Sequence, residues 1–222
     1  MNRITDNLHQ IEKNITQALE RSNRIDSVHI IAVTKEVDIE RTVEAIDAGL
    51  VHLGENRPEG LNNKFNAIDR DVNWHYIGSL QTRKVKQVID QIDYLHSLDR
   101  ISLAEEIQKR AKKPVKCFVQ ANVSGEQSKH GLSQEEVIPF IQQLEQFDKI
   151  QIVGLMTMAP YTNDEKIIRE VFKKLKMLQQ QVANLQLSYA PCTELSMGMS
   201  NDYIIAVEEG ATFVRVGTAL VG

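Results

Sequence analysis

Apolar and polar residues along this chain follow two alternating periods. The first segment places apolar residues three and four positions apart, the spacing of a single buried helix face. That stripe consists of Ile4, Leu8, Ile11, Ile15 and Leu19. Beyond it, short continuous apolar runs recur, as in parallel strands buried on both faces. These runs cover residues 28–34, 51–54, 74–80, 94–98, 115–123, 150–158, 194–197 and 213–221. The pattern therefore predicts one N-terminal helix followed by eight strands.

Helical patterns separate the predicted strands. They cover residues 38–48, 57–68, 82–91, 100–112, 133–147, 163–185 and 201–209. The clearest is 163–185, for which Asn163 and Asp164 are candidate N-caps. Its apolar face consists of Ile168, Val171, Phe172, Leu175, Leu178, Val182 and Leu185. Strands and helices thus alternate through the chain, which favours a parallel sheet.

Eight strand–helix units most simply close into a (β/α)8 barrel, so we predict an α/β fold of the TIM type. An open doubly wound sheet is the main alternative, but its glycine-rich turn after the first strand is missing, because Thr34-Lys35-Glu36 stands there. We expect one domain over residues 1–222, with residues 1–25 as a helix packing on the barrel. The eighth strand is expected to end the chain with no eighth helix, so the N-terminal helix would cover that side.

Composition narrows the classes of partner. The 222 residues carry a net charge of −4, which argues against a general nucleic-acid binder. The N-terminus is polar, and no apolar run approaches the length of a membrane span. We therefore expect a cytoplasmic protein that binds neither nucleic acid nor membrane. We also expect a monomer, although composition does not fix the oligomeric state. No spacing of side chains indicates a metal site.

The carboxyl ends of all strands in such a barrel meet on one face, where sites are built. Lys35 follows the first strand there, and a neutral lysine amine can form a Schiff base with an aldehyde. The alternative is an ordinary solvated lysine at a strand end. The choice depends on which groups the other strands bring to the same place.

The last two strands offer groups suited to a phosphate. Ser200 precedes a predicted helix and supplies a hydroxyl, Gly217 allows close backbone approach, and Thr218 adds a donor. The alternative is that Ser200 is only an N-cap and Gly217 only fits a tight strand end. A lysine facing a phosphate cradle suggests a phosphorylated aldehyde, above all pyridoxal 5′-phosphate (PLP).

Arg215 lies inside an apolar strand, and a buried charge needs a partner. It would pair either with an acid on a neighbouring strand or with the pyridine nitrogen of PLP. His75 in the third strand could face the barrel interior as a hydrogen-bonded core histidine. Lys129 and His130 lie in a loop that could bind a second anion.

Several sequence blocks resemble the pyridoxal phosphate homeostasis proteins, in order and at that family's spacing. The N-terminal blocks are residues 31–35 (IAVTK), 54–56 (GEN), 74–81 (WHYIGSLQ) and 96–99 (HSLD). The C-terminal blocks are residues 154–158 (GLMTM), 195–202 (LSMGMSND) and 214–218 (VRVGT). The chain departs from the family pattern at Arg57-Pro58 and at Ser79, both beside the expected site.

The resemblance implies a barrel like the N-terminal domain of alanine racemase, with Lys35 holding PLP as an internal aldimine. Ser200, Gly217 and Thr218 would then hold the phosphate, and Arg215 would face the pyridine nitrogen. Asn56 and Met199 would line the ring. The resemblance also implies PLP homeostasis or carriage, with PLP-dependent apo-enzymes as recipients.

Two other functions remain open at this stage. The first is a PLP-dependent amino-acid racemase of low activity, which would need an acid or base on each face of the substrate. In alanine racemases the second base comes from a C-terminal domain that this sequence does not show. The second is a sugar-phosphate isomerase, which would explain the phosphate loops but neither Arg215 nor the order of the blocks. We therefore expect a carrier without efficient turnover.

Overall fold

The computed structural model describes residues 3–125 and 130–222. Its eight strands are all parallel and close into a barrel in chain order, with the first strand paired to the eighth. The strands are β1 His29–Val33, β2 His52–Glu55, β3 Asn73–Tyr76, β4 Tyr94–Leu98, β5 Val115–Gln120, β6 Ile150–Met156, β7 Glu194–Met199 and β8 Phe213–Val216. The predicted (β/α)8 barrel is therefore confirmed.

Helices follow the strands and cover the outside of the barrel. The α-helices are α1 Arg3–Arg21, α2 Ile39–Asp47, α3 Pro58–Ala67, α4 Ile101–Arg110, α5 Gln134–Gln143, α6 Glu165–Ala183, α7 Tyr203–Glu208 and α8 Thr218–Val221. Two short 3-10 helices cover Thr82–Gln87 and Leu144–Gln146. The side chain of Asp164 caps α6 by accepting from the Lys166 N–H at 2.9 Å, as its sequence position predicts.

Helix α1 closes the side of the barrel near β8. It buries the predicted apolar stripe apart from Leu19, which is only partly buried. It packs chiefly against α7 and α8. Asn7 Nδ2 donates to the carbonyl of Leu220 at 3.0 Å, and Asn14 Nδ2 donates to Tyr203 Oη at 2.7 Å. The N-terminal helix therefore covers the side where we expected it.

Three details of the predicted elements were wrong. The eighth strand does not continue to residue 221, and an eighth helix does follow it, because Thr218–Val221 forms the short helix α8. Residues 82–91 do not form an α-helix, and a 3-10 helix at Thr82–Gln87 takes their place. Leu185 lies beyond the end of α6 and is 39% exposed, so it does not extend the buried face. These segments are short, so tertiary contacts decide their form more than residue propensity does.

The barrel has two separate buried regions. A large apolar shell lies between the strands and the surrounding helices. A smaller cluster fills the barrel interior and consists of Ile31, Tyr94, Phe118, Val153, Met156 and Phe213. Histidine rings pack among these aromatic residues, for example His75, which stacks on Tyr94 with 4.3 Å between ring centroids. The interior is therefore partly polar, and its upper end forms the floor of the site described next.

Candidate functional site

A cavity of about 410 Å³ opens where the strands end, at the mouth that carries the βα loops. Its volume lies in the range of small-molecule sites. Its lining includes every residue that the resemblance assigns to PLP, namely Lys35, Asn56, Met199, Ser200, Arg215, Gly217 and Thr218. Ser79, one of the departures from the family pattern, lines it as well. The fold thus brings these residues together from the ends of five different strands, β1, β2, β3, β7 and β8.

Lys35 lies in the turn after β1 and is exposed toward the cavity. The preceding residue, Thr34, is fully buried and anchors this turn. Its hydroxyl donates to Glu55 Oε1 at 2.6 Å, and its carbonyl accepts from Lys64 Nζ. Lys64 and Glu55 also form a buried ion pair at 2.6 Å. The turn is therefore fixed from below, while the Lys35 side chain keeps access to the cavity.

The loop after β7 supplies Ser200. Gly198 precedes it with φ +93°, and a Cβ there would lie 2.5 Å from the Cβ of Ala206 in α7, so glycine permits this close approach. Asp202 holds the N-cap position of α7, and its carboxylate accepts from the Met199 N–H at 2.6 Å. Ser200 is therefore not the N-cap. Its hydroxyl instead accepts from the Gly217 N–H at 3.3 Å, which joins the two loops.

Arg215 forms part of the cavity floor and is only 5% exposed. One terminal nitrogen donates to Ser196 Oγ at 2.5 Å, and the other donates to the carbonyl of Thr157 at 3.1 Å. Within residues 3–125 and 130–222 no carboxylate forms an ion pair with it. Burial lowers the pKa of Arg215 to about 10, opposed by the negative charge of Asp202. Arg215 is thus a buried cation whose interactions leave one side facing the cavity.

A row of three histidines, which we call the histidine row, lies below Arg215 inside the barrel. His96 Nδ1 is 2.9 Å from Ser196 Oγ, His75 Nδ1 is 2.8 Å from His96 Nε2, and His52 Nδ1 is 2.9 Å from His75 Nε2. His75 and His96 are fully buried. Burial lowers their pKa well below the usual value, and nearby groups, above all His96 for His75 and Arg215 for His96, lower it further.

The histidine row should make the protein sensitive to acid. Burial, with His29 and Lys116 nearby, also lowers the pKa of His52, to about 4, whereas unfolded histidines titrate near 6.5. The unfolded chain therefore binds more protons below pH 6.5, and stability present above that pH is lost as pH falls toward 4. Each fully buried histidine should lower the unfolding free energy by about 1.4 kcal/mol per pH unit.

Urea denaturation between pH 7.5 and 5 measures this slope. His75→Gln should flatten it, whatever its effect on absolute stability. His9→Gln is the matched control, because His9 is exposed on α1. A slope that is the same for wild type and His75→Gln would contradict the proposed origin of the acid sensitivity.

Some residues at or beneath the site were not found from the sequence. Gln120 and Asn201 line the cavity, and Lys64 supports the Lys35 turn. Lys64 lies three positions after the buried Leu61 in α3, on the inward helix face, but its position alone did not indicate a buried charge. Lys129 of the proposed second anion site lies outside the described residues. His130 is exposed, and its carbonyl accepts from Gln120 Nε2 at 3.5 Å.

A second, larger cavity of about 620 Å³ adjoins the first and shares Met199, Ser200 and Asn201 with it. Its other lining residues come from the loop before α6, from α6 and from α7. It lacks an amine and a guanidinium, so the chemistry predicted from the sequence belongs to the smaller cavity. In the described part of the chain, no group of three or more metal-ligating side chains is placed to hold an ion. Nor does any helix found there have the length and apolar character to span a membrane.

Comparisons with known proteins agree with this architecture. The family model "Alanine racemase, N-terminal domain" matches residues 7–222. The pyridoxal phosphate homeostasis protein of Aquifex aeolicus (strain VF5) is 38% identical over 98% of this chain and 96% of its own length. That of Pasteurella multocida (strain Pm70) is 33% identical over 99% of this chain and 97% of its own length.

A solved structure resembles the whole barrel. PipY of Synechococcus elongatus PCC7942, in a structure with PLP bound, superposes with a TM-score of 0.86. It is 32% identical to this chain, and the match covers 99% of this chain and 100% of PipY. The likeness therefore extends over the entire chain in both sequence and structure.

Proposed function

The chain belongs to the alanine racemase N-terminal domain family, and within it to the pyridoxal phosphate homeostasis proteins, and from this we propose that it binds PLP and serves PLP homeostasis. In this role it holds the cofactor on Lys35 and gives it up again without efficient turnover of amino acids. The observation that carries the proposal is the meeting of Lys35, Arg215 and the Ser200–Gly217–Thr218 group in one cavity.

Lys35 has the chemistry needed to hold an aldehyde. Its Nζ adds to the aldehyde carbon, and the carbonyl oxygen leaves as water, so that a Schiff base forms. Because the side chain is exposed toward the cavity, water can also reach this bond. Hydrolysis then returns the free amine and the free aldehyde. Reversible holding of this kind is what a carrier requires.

A phosphate group needs several hydrogen-bond donors close together, and these are offered by Ser200, Gly217 and Thr218. Ser200 and Thr218 offer hydroxyls, and the hydrogen bond between the Gly217 N–H and Ser200 Oγ keeps the two loops close. Hydrogen bonds to a charged group contribute about 1.5–3 kcal/mol each. Two hydroxyls can therefore supply a large part of the selectivity for a phosphorylated ligand.

The ring of PLP would be contacted by three residues that line the same cavity, namely Arg215, Asn56 and Met199. Arg215 is a buried cation that lacks an ion-pair partner in the described part of the chain, so a ligand acceptor would satisfy its remaining donors. When bound, PLP supplies an electron sink whose strength depends on protonation of its ring nitrogen. A guanidinium donates to that nitrogen without giving up a proton, which favours holding PLP over fast carbanion chemistry.

The wider role has several parts. We propose that residues 1–222 act as one PLP-binding domain and that the protein works in the cytoplasm as a monomer. PLP-dependent apo-enzymes are the proposed recipients. Because the cavity opens directly at the barrel mouth, a recipient would not need the barrel to unfold.

The phosphate contacts provide the test of PLP binding. Ser200→Ala combined with Thr218→Val should weaken PLP at least tenfold, because at least one charge-assisted hydrogen bond is lost. Pyridoxal, which lacks the phosphate, should be much less affected. Equilibrium dialysis with each ligand measures both constants. Ser102→Ala with Thr16→Val, on exposed faces of α4 and α1, is the matched control. Equal losses for PLP and pyridoxal would exclude the assigned phosphate site.

A further inference from the structure

The residues between Arg215 and the far end of the barrel have no role in the function proposed so far. Ser196 and the histidine row do not line the cavity, yet they form a continuous hydrogen-bonded file that ends at Arg215. The side chains of Ser196, His75 and His96 are all fully buried. Burying three polar side chains in an otherwise apolar interior is costly unless all are hydrogen-bonded.

The direction of the file follows from Arg215. A guanidinium can only donate, so Ser196 Oγ accepts from it, and the Ser196 hydroxyl hydrogen needs an acceptor of its own. Across residues 3–125 and 130–222, the acceptor within reach is His96 Nδ1. The opposite direction would leave this buried hydroxyl unsatisfied. His96 is therefore protonated at Nε2 and donates to His75 Nδ1.

The same reasoning continues to the end of the row. His75 Nδ1 accepts from His96, so its Nε2 carries the hydrogen and donates to His52 Nδ1. Every N–H and O–H in the file then points away from Arg215, and every acceptor atom points toward it. Aligned dipoles of this kind stabilise a nearby cation and polarise one another.

The aligned file helps to balance the buried positive charge of Arg215. The groups around Arg215 are the Ser196 hydroxyl, the Thr157 carbonyl and, at longer range, the Asp202 carboxylate. Asp202 is itself engaged by the Met199 N–H and acts on Arg215 only through its charge. Two neutral dipoles and a distant acid would give Arg215 weak orientation. The oriented file strengthens the dipole of the Ser196 hydroxyl, which accepts directly from Arg215.

We propose that Ser196, His96 and His75 are positioning residues that hold Arg215 as an oriented cation facing the ring nitrogen of PLP. The inference rests on the proposed function for the identity of the ligand, while the file itself belongs to the protein alone. It assigns to the barrel interior a role in recognising the ring, separate from the recognition of phosphate and aldehyde. The three residues touch no ligand and act through Arg215.

The first measurement uses the protein without cofactor. Nitrogen-15 NMR of labelled histidines distinguishes the two imidazole tautomers. In wild type, His96 and His75 should both be protonated at Nε2. Ser196→Ala removes the hydroxyl that sets this direction, so the signals should shift toward a mixture of tautomers. Ser196→Thr retains a hydroxyl and should restore the wild-type pattern. Nδ1-protonated His96 and His75 in wild type would overturn the inference.

The second measurement compares PLP with its benzene analogue, which keeps the aldehyde, hydroxyl and phosphate but has carbon in place of the ring nitrogen. Ser196→Ala should raise the Kd for PLP about three- to tenfold, somewhat less than the roughly 10–100-fold that outer-shell partners contribute in metal sites. The Kd for the analogue should change less than about twofold. Equal weakening of both ligands would show a merely structural role and overturn the inference. Failure of wild type to bind PLP at all would refute the proposed function instead, and the inference with it.

Discussion

Replacement of Lys35 by alanine should abolish retention of PLP during gel filtration, whereas wild type should retain about one PLP per chain. Lys35 carries the amine at the cavity, since no other lysine in the described part of the chain lines it. Its loss removes the covalent bond and leaves only the phosphate and ring contacts. We expect the apparent Kd to rise at least about 100-fold, which corresponds to about 2.8 kcal/mol.

Lys84→Ala is the matched control for this variant. Lys84 lies in the 3-10 helix after β3 and does not line the cavity. The Lys84→Ala variant should therefore retain PLP like wild type. Retention by Lys35→Ala at the wild-type level, or equal losses in the two variants, would mean that the cofactor is held elsewhere or that it adds to surface lysines without selection.

Amino-acid racemisation should be absent or very slow in this protein. A two-base mechanism needs a proton donor or acceptor on each face of the substrate α-carbon. The titratable side chains that line the cavity, as far as the structure describes it, are Lys35 and Arg215. Arg215 does not give up its proton at neutral pH, so only Lys35 can exchange one. A missing acid or base lowers the rate by about 10²–10⁴-fold.

Exchange of the α-proton in deuterated water measures this directly. L- and D-alanine and a panel of other amino acids should exchange far more slowly than the typical enzyme range of about 1–10³ per second. Lys35→Ala should lose even the residual exchange. This variant therefore distinguishes exchange that depends on the protein from exchange catalysed by free PLP. Turnover of any amino acid within the typical range would contradict the carrier function and favour a racemase. The two relatives compared above carry the name pyridoxal phosphate homeostasis protein and not that of a racemase.

The barrel could be predicted from the sequence because its strands are continuous apolar runs with polar residues directly after them. That pattern arises when a strand is buried on both faces and its carboxyl end meets solvent. The candidate site followed from the same rule. Lys35, Ser200 and Gly217 are distant in sequence, but parallel strands in a closed barrel must bring their ends together.

The histidine row could not be predicted in the same way. His52, His75 and His96 lie on β2, β3 and β4, and each sits in an ordinary strand pattern. Their contact depends on the relative register of three strands, which places His75 beside Gly54 and Tyr94. In a closed barrel this register depends on the stagger of all the strands, which the hydrophobic pattern of a single strand does not show.

The support beneath Lys35 was also beyond the sequence pattern. Lys64 points inward from α3 only because Glu55 at the end of β2 provides a buried charge partner. A lysine on an apolar helix face otherwise indicates a solvated side chain. A charged pair from two different elements can be recognised only when the packing between them is known.

Reduction of the PLP-loaded protein with borohydride, followed by peptide mapping, tests the central claim most directly. Borohydride converts a Schiff base into a stable secondary amine, so the adduct marks the lysine that holds the cofactor. The proposed function predicts one pyridoxyl group per chain, located on Lys35. An adduct found mainly on Lys84 or Lys129, or distributed over many lysines with Lys35 unmodified, would contradict it.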